Sequence, residues 1–432
     1  MAVATVPPAA PLGVIRRLHS RRGREDPFPL FEEIRSPGPV VSLGPYALVV
    51  TGYGECLHVL TDRNWQVPDE EWRTARGLAS GYVTSRLMRT LPRLNGPQHG
   101  AARRLLSGPF TPAALVRLQP MVRELVRTHL DALAREVDQH GRAEFVDIVA
   151  RALPTALMCA VLGLPDTDRT LIAQYSTQTA PLTEPFATPS QVTAAEAAAA
   201  EFHAYVLALL KDGTRRAGQG LLSRWAATGC PGSEPVDMDE FASHIVFLLG
   251  AGVETTSSLF ATAVQALEQH PEQGRWLAAH PEAVPQAVEE LIRWDPSVQN
   301  VVRVPAEDTS LAGFAVPAGT LVHALIAAAN RDPAHFPSPG ALDFRRRPQR
   351  NLAFGAGAHY CLGAALARLN ANEFLPELAR RFPSLRTDGP ATRPSGLNLR
   401  TFTALPVTIP RPAQPTDSPG PAMTGSKASM GR

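Results

Sequence analysis

The chain has 432 residues, 44% of them hydrophobic, and a formal net charge of +2, so it can bury a large core and presents no global basic field for a nucleic-acid partner. The four cysteines, Cys56, Cys159, Cys230 and Cys361, are scattered without a C-x-x-C pair, which argues against a disulfide framework or a thiolate zinc site and fits a reduced cytosol. The first arginines follow the leading apolar residues, the wrong order for a signal peptide, and no uninterrupted apolar run approaches the ~18 residues of a membrane span.

Residues 1–28 read as a mobile arm, followed by a short helix over 29–35. The strand-like runs 40–42 and 47–51, joined by Leu43-Gly44-Pro45-Tyr46, predict a hairpin, and 53–60 a short helix. Residues 62–93 are irregular, with Trp65, Trp72, Tyr82 and Leu87, and loops of that length in compact domains tend to be functional. His99 and Arg103 stand four apart, so a helix places both on one face as donors to carboxylates. Helices are predicted over 115–139 and 145–162, the second stopped by Gly163 and Pro165 with Cys159 in its apolar part. A Thr/Pro-rich stretch over 166–193, with one short helix near Leu171, leads to a helix over 194–210 and a turn-rich break at 229–235.

A long helix is predicted over 238–270, with Asp237 and Glu240 as a capping pair and Pro271 as its stop, roughly 50 Å at 1.5 Å per residue. Its apolar centre holds Glu254 and Thr255. Threonine can bond back to the previous turn, and Gly250 and Gly252 weaken the helix there. Glu290 and Arg293, three apart on the next helix, can pair. Arg303 lies in a strand-like run, a second strand is expected over 321–326, and Arg345, Arg346, Arg347 and Arg350 form a basic cluster. In FGAGAHYCLGAALAR, Gly355, Gly357 and Gly363 shape a loop around Cys361 that feeds an Ala/Leu helix. A helix N-terminus favours an anion, so a thiolate is stabilised there. Residues 411–432 have no core pattern and read as a disordered tail, leaving 29–410 as one domain.

The loop Phe354, Gly355, Gly357, His359, Cys361, Gly363, Leu366, Ala367, Arg368 resembles the haem-binding loop of the cytochrome P-450 family. Ala251-Gly252-x-Glu254-Thr255 resembles its oxygen-activation motif, Glu290-x-x-Arg293 its structural pair, and His99 with Arg103 its propionate-binding helix. Asn95 and Gly96 depart from the usual Asp and Pro, and Asn351 stands where many members have a His.

The resemblance covers residues 29–410 and implies a mainly α fold with a small β region around the long helix. It implies that Cys361 is the thiolate ligand of a haem b iron and that His99, Arg103 and Arg303 hold the haem propionates. Phe354, Gly355, His359 and Ala251 would complete the cofactor site. Such a thiolate favours O–O cleavage, with Thr255 and Glu254 handling the protons.

The implied activity is monooxygenation of a small hydrophobic substrate, a natural product of secondary metabolism by analogy with bacterial members. With no fused flavin or iron–sulfur motif, electrons are expected from NAD(P)H through a separate ferredoxin reductase and ferredoxin, the basic cluster attracting the acidic partner. A cytoplasmic monomer without nucleic-acid or membrane partners is expected. A peroxide-using or rearranging haem-thiolate enzyme, and a non-enzymatic haem carrier or sensor, stay open.

Overall fold

The computed structural model describes residues 6–11, 13–77, 86–87, 89–184, 187–212, 220–222, 237–394 and 396–410. Its principal helices are α1 Gly96–Leu106, α2 Pro112–His140, α3 Ala152–Leu162, α4 Arg169–Thr179, α5 Pro189–Asp212, α6 Met238–Gln269, α7 Val284–Trp294 and α8 Ala364–Arg381. Helix α6 runs through the middle and packs on α3, α4, α5 and α8. The packing follows from its composition. Twenty of its residues are buried, including Phe241, Leu249, Val253 and Phe260, and the ring of Phe260 lies 4.1 Å from that of Phe374 on α8. Gly252 sets the approach of α3, since a Cβ there would stand 2.7 Å from the sulfur of Met158.

The largest sheet of the small β region has five strands, β1 Val40–Gly44, β2 Ala47–Val50, β3 Trp65–Gln66, β4 Val301–Pro305 and β5 Leu321–Ala324, in the order β1-β2-β5-β4-β3, beside a three-stranded and a two-stranded sheet. Only β2 and β5 run parallel, Ala47 facing Leu321 and Val50 facing Ala324. This sheet encloses its own cluster around Val50, Tyr53, Val322 and Phe336.

Several elements differ from the sequence reading. Residues expected as a mobile arm form two short helices, Val14–Leu18 and Arg21–Glu25, and the amide of Ala10 donates to Ser42 O at 2.8 Å. Val14 and Leu18 are buried against Phe31 and Ile34, so an apolar stripe too short to register as a pattern is held by tertiary contact. The irregular stretch contributes β3, whose Trp65 pairs with Pro305 across the chain. A π-helical turn, Val146–Ala150, precedes α3, with Arg151 N bonding Val146 O at 2.8 Å. The strand ends at Ala324, and Ile326–Ala329 forms a helical turn instead. Asp237 makes no side-chain cap, and α6 continues unbroken through Gly250 and Gly252 because packing on every side outweighs their propensity. The break at 229–235, Tyr82, Cys230 and the tail 411–432 lie outside the described residues.

By length and composition α6 is the one described helix that could span a bilayer, but 72% of its most apolar window is buried inside the protein, as in a core helix. It also carries His244, fully buried, whose two ring nitrogens have no hydrogen-bond partner among the described residues. Burial pushes its pKa down to about 4.

The most heavily bonded polar element is the Glu290–Arg293 pair on α7, both about nineteen-twentieths buried or more. Arg293 donates to the two carboxylate oxygens at 2.7 and 2.8 Å. Its remaining N–H groups reach the carbonyls of Asn330, Pro339 and Ala341 at 2.9–3.2 Å. Arg346, half-buried, also donates to Glu290, at 3.0 Å, so one arginine of the sequence-predicted basic cluster braces the core pair, while Arg345, Arg347 and Arg350 remain exposed.

Two outcomes follow for stability. Glu290→Ala strands two guanidinium groups, and we expect a loss of about 3–5 kcal/mol, the range for breaking a buried pair, read as a lower thermal-unfolding temperature. For His244 the unfolded chain takes up a proton near its ordinary value of 6.5, before the folded chain does at about 4, so stability falls as pH drops across that interval. His244→Leu should flatten that fall by roughly 3 kcal/mol, at 1.36 kcal/mol per unit, measured by urea unfolding across the range.

Candidate functional site

The loop around Cys361 takes its shape from two positive-φ glycines. At Gly357, φ is +67° and a Cβ would stand 2.4 Å from Leu60 O, so any other residue is excluded by backbone conformation and space together. The amide of Cys361 donates to Phe354 O at 2.9 Å, closing the loop just before α8 begins at Ala364. Cys361 is accessible to solvent, whereas Cys56 and Cys159 are buried. Crowding by protein still raises its thiol pKa, but the N–H groups of Gly363 and Ala364 and the charges of Arg103 and Arg368 pull the other way. Burial pushes Cys159 up to about 12, opposed by Arg169 and a backbone N–H. Cys361 is the described cysteine that combines solvent access with N–H donors and cationic charges that oppose the rise. Arg368 stacks 4.4 Å from the Phe354 ring and pairs with Glu289. Asn351, at the departure from the resembled pattern, donates to Glu289 at 3.3 Å, and its Oδ1 accepts the amide of Ala353 at 3.0 Å.

Beside the loop lies a cluster of bases with no matching acid among the described residues. The His99 and His359 rings are 4.2 Å apart, and Arg103 donates to Ala358 O at 3.4 Å. Arg303 is 6% exposed and donates to Val302 O at 2.8 Å, and no carboxylate pairs with it among the described residues. Burial and neighbouring Arg93 lower its pKa to about 10. Burial, Arg303, His99 and Arg103 together push His359 down to about 3. Burial and the two arginines likewise lower His99, whose Nε2 is buried without a hydrogen-bond partner among the described residues. Arg93 was not singled out from the sequence. It lies in the irregular stretch, where no periodicity marks a buried cation, yet it belongs to this cluster, its pKa lowered by burial and Arg73.

On α6, Thr255 donates its hydroxyl to Ala251 O at 2.7 Å, the back-bond that threonine makes within a helix, and accepts Ser297 Oγ on its own carbonyl at 2.7 Å. Glu254 is 5% exposed. It makes no ion pair among the described residues but accepts a hydrogen bond from Thr177 of α4 at 3.0 Å. Burial raises its pKa, opposed by Arg151 and by the Thr177 hydroxyl. Thr177, also absent from the sequence reading, lines a cleft of roughly 500 Å³ together with His129, Asp147, Arg151, Arg169 and Gln174. The structure thus gathers His99, Arg103, Arg303, His359 and Cys361 at one place and sets Thr255 and Glu254 on α6, while Glu290 and Arg293 stand in the core as a brace.

A mainly helical fold with a thiol loop ahead of its last long helix and an acid–alcohol pair on its central one defines a class, and the comparisons name it. The family profile Cytochrome P450 matches residues 280–399. Cytochrome P450 monooxygenase PikC of Streptomyces venezuelae is 32% identical over 371 residues, covering 84% of this chain and 85% of that one. The crystal structure of Mycobacterium smegmatis CYP164A2 with econazole bound is 31% identical, with a TM-score of 0.80 over 92% of this chain and all of that chain. A mutant of P450 EryK in complex with erythromycin B is 26% identical, with a TM-score of 0.78 over 91% and 98%. The chain belongs to the cytochrome P450 family of monooxygenases.

That family implies a haem. The residues present fit one. A haem carries two carboxylates, and Arg303, His99 and Arg93 are buried or half-buried bases without an acidic partner among the described residues. Burying like charges without a counter-charge is costly, so an anionic group completes the cluster.

Thr177→Val removes the side-chain donor to the buried Glu254 carboxylate. The expected result is a further rise of the Glu254 pKa, followed by infrared titration of its carboxyl band; an unchanged or lower value would contradict the assigned bond.

Proposed function

We propose that this protein is a haem-thiolate monooxygenase that inserts one oxygen atom of O2 into a C–H or C=C bond of a hydrophobic natural product, a tailoring step of secondary metabolism. The observation that carries the reading is the solvent-accessible Cys361, held among N–H donors beside an uncompensated cluster of bases. In this reading Cys361 supplies the thiolate ligand, and His99, Arg103 and Arg303, with Arg93, bind the carboxylates of the cofactor. Bound there, the haem supplies the iron on which dioxygen is activated.

The proton chemistry falls to α6. Glu254, with its pKa raised by burial, holds a proton closer to neutral pH than an exposed carboxyl does. Thr177 links it to the cleft between α3 and α4, a path for protons from solvent. Thr255 is oriented by Ala251 O, which takes its hydroxyl hydrogen and leaves the oxygen lone pairs free to accept. Ser297 and its neighbours, tied to the Thr255 carbonyl, form the substrate wall.

Similarity to PikC and EryK, the latter solved with erythromycin B, supports a macrolide-like substrate. Electrons come from NAD(P)H through a ferredoxin reductase and a ferredoxin, as separate proteins, and the exposed Arg347 and Arg350 suit an acidic partner. We place the enzyme in the cytosol as a monomer.

The test is a spectral titration of purified ferric protein with macrolides, terpenoids and cyclic peptides, followed by turnover with ferredoxin, reductase and NADPH. A low-to-high-spin shift and a product one oxygen atom heavier are expected, and Cys361→Ser should abolish the thiolate-type band of the reduced carbonyl complex while Cys159→Ala keeps it. A Cys361→Ser protein that retains that band would overturn the ligand assignment. A ligand that shifts the spin state but is never oxidised would favour a carrier or sensor.

A further inference from the structure

Helix α4 is tied to α6 by Thr177 and Glu254, and the chain just beyond it is tied to the opposite wall by Glu184. A 3-10 turn, Ala180–Thr183, carries α4 on to Glu184, which is half-buried. One carboxylate oxygen accepts the amides of Leu397 and Asn398 at 2.7 and 3.0 Å, and the other accepts the amide of Leu399 at 3.0 Å. Three successive N–H groups aimed at one carboxylate make an anion nest. The Asn398 side chain returns a bond to Thr183 O. No cation pairs with Glu184 among the described residues, and burial raises its pKa while the three amides lower it.

The turn it grips belongs to the wall beside Thr255. Gln299 N donates to Asn398 O at 2.8 Å, Arg400 N to Ser297 O at 2.9 Å, and Ser297 Oγ to Thr255 O at 2.7 Å. Bonds therefore run from Thr255 through Ser297 to the 397–400 segment, across Glu184 into the α4 turn, and back through Thr177 to Glu254. Glu184 is the point where this ring changes from one wall to the other. Gly396 lets it close, since a Cβ there would stand 2.7 Å from the Glu184 carboxyl carbon. A carboxylate and backbone amides are both well solvated when parted, so this contact exchanges protein bonds for water bonds at modest net cost. A fully buried ion pair such as Glu290–Arg293 cannot do so.

We propose that Glu184 is a releasable clasp that governs passage of bulky ligands into the space beside Thr255, acting as a positioning residue through the 397–399 turn. The inference rests on the haem-thiolate reading of that space. It is tested on the full-length ferric haem protein by stopped-flow Soret shifts with two iron-binding azoles, small imidazole and bulky econazole. Amide hydrogen exchange at Leu397, Asn398 and Leu399 is followed in parallel. Glu184→Ala should raise both association and dissociation rates of econazole about tenfold, leave imidazole rates unchanged, and remove protection at the three amides. Gly396→Ala, which keeps the carboxylate but blocks its seat, should do the same, and Glu184→Gln should fall between. Lost protection with unchanged econazole rates would make the contact merely structural and overturn the clasp. Equal acceleration of imidazole would show general loosening and overturn it as well. If neither azole shifts the wild-type Soret band, the haem reading itself fails and the clasp falls with it.

Discussion

Arg293 cannot sit in the core without Glu290, and much of the site's geometry hangs on that pair. A guanidinium 2% exposed needs its charge balanced and its N–H groups occupied. Glu290 balances the charge, and the carbonyls of Asn330, Pro339 and Ala341 fill the remaining directions. Once Asn330 is held there, its side-chain oxygen accepts Leu352 N at 2.7 Å, Leu352 O accepts Gly355 N at 2.8 Å, and Phe354 O accepts Cys361 N at 2.9 Å. A short sequence of hydrogen bonds thus runs from the buried pair to the backbone of Cys361. The pair adds little net stability over an apolar substitute, but it fixes where the cysteine loop lies.

The chemistry of the site follows from uneven charge. On the loop side bases crowd together and each lowers the affinity of the others for protons, which leaves a place for an anion. On α6 the opposite holds, with one carboxyl in an apolar helix kept protonatable by burial and linked by a single hydroxyl to the α3–α4 cleft. The two sides use the same low-dielectric interior with opposite signs, one favouring charge capture and the other proton storage.

The carboxylates of this interior are treated in three ways. Glu290 is locked by arginines, Glu254 is held by one threonine, and Glu184 by backbone amides alone. Glu290 and Glu184 are the extremes, because an ion pair that cannot reach water must stay, whereas amides and a carboxylate can exchange each other for solvent.

Much of this was legible in the chain itself. The glycines and the Ala/Leu run around Cys361 determine a tight loop entering a helix, because left-handed turns and helix propensity are local properties. The spacing of Glu290 and Arg293, and the long apolar period of α6 around Glu254 and Thr255, are likewise local and visible. What the tertiary structure alone decided is which distant groups meet. Arg93 joins Arg303, Thr177 finds Glu254, Arg346 leaves the basic cluster for Glu290, Glu184 reaches the 397–399 amides, and the expected arm is pinned by Val14 and Leu18. Those partners lie tens to hundreds of residues apart, and no periodicity encodes such a meeting. It exists only after burial makes a lone charge or an open amide costly enough to need a partner.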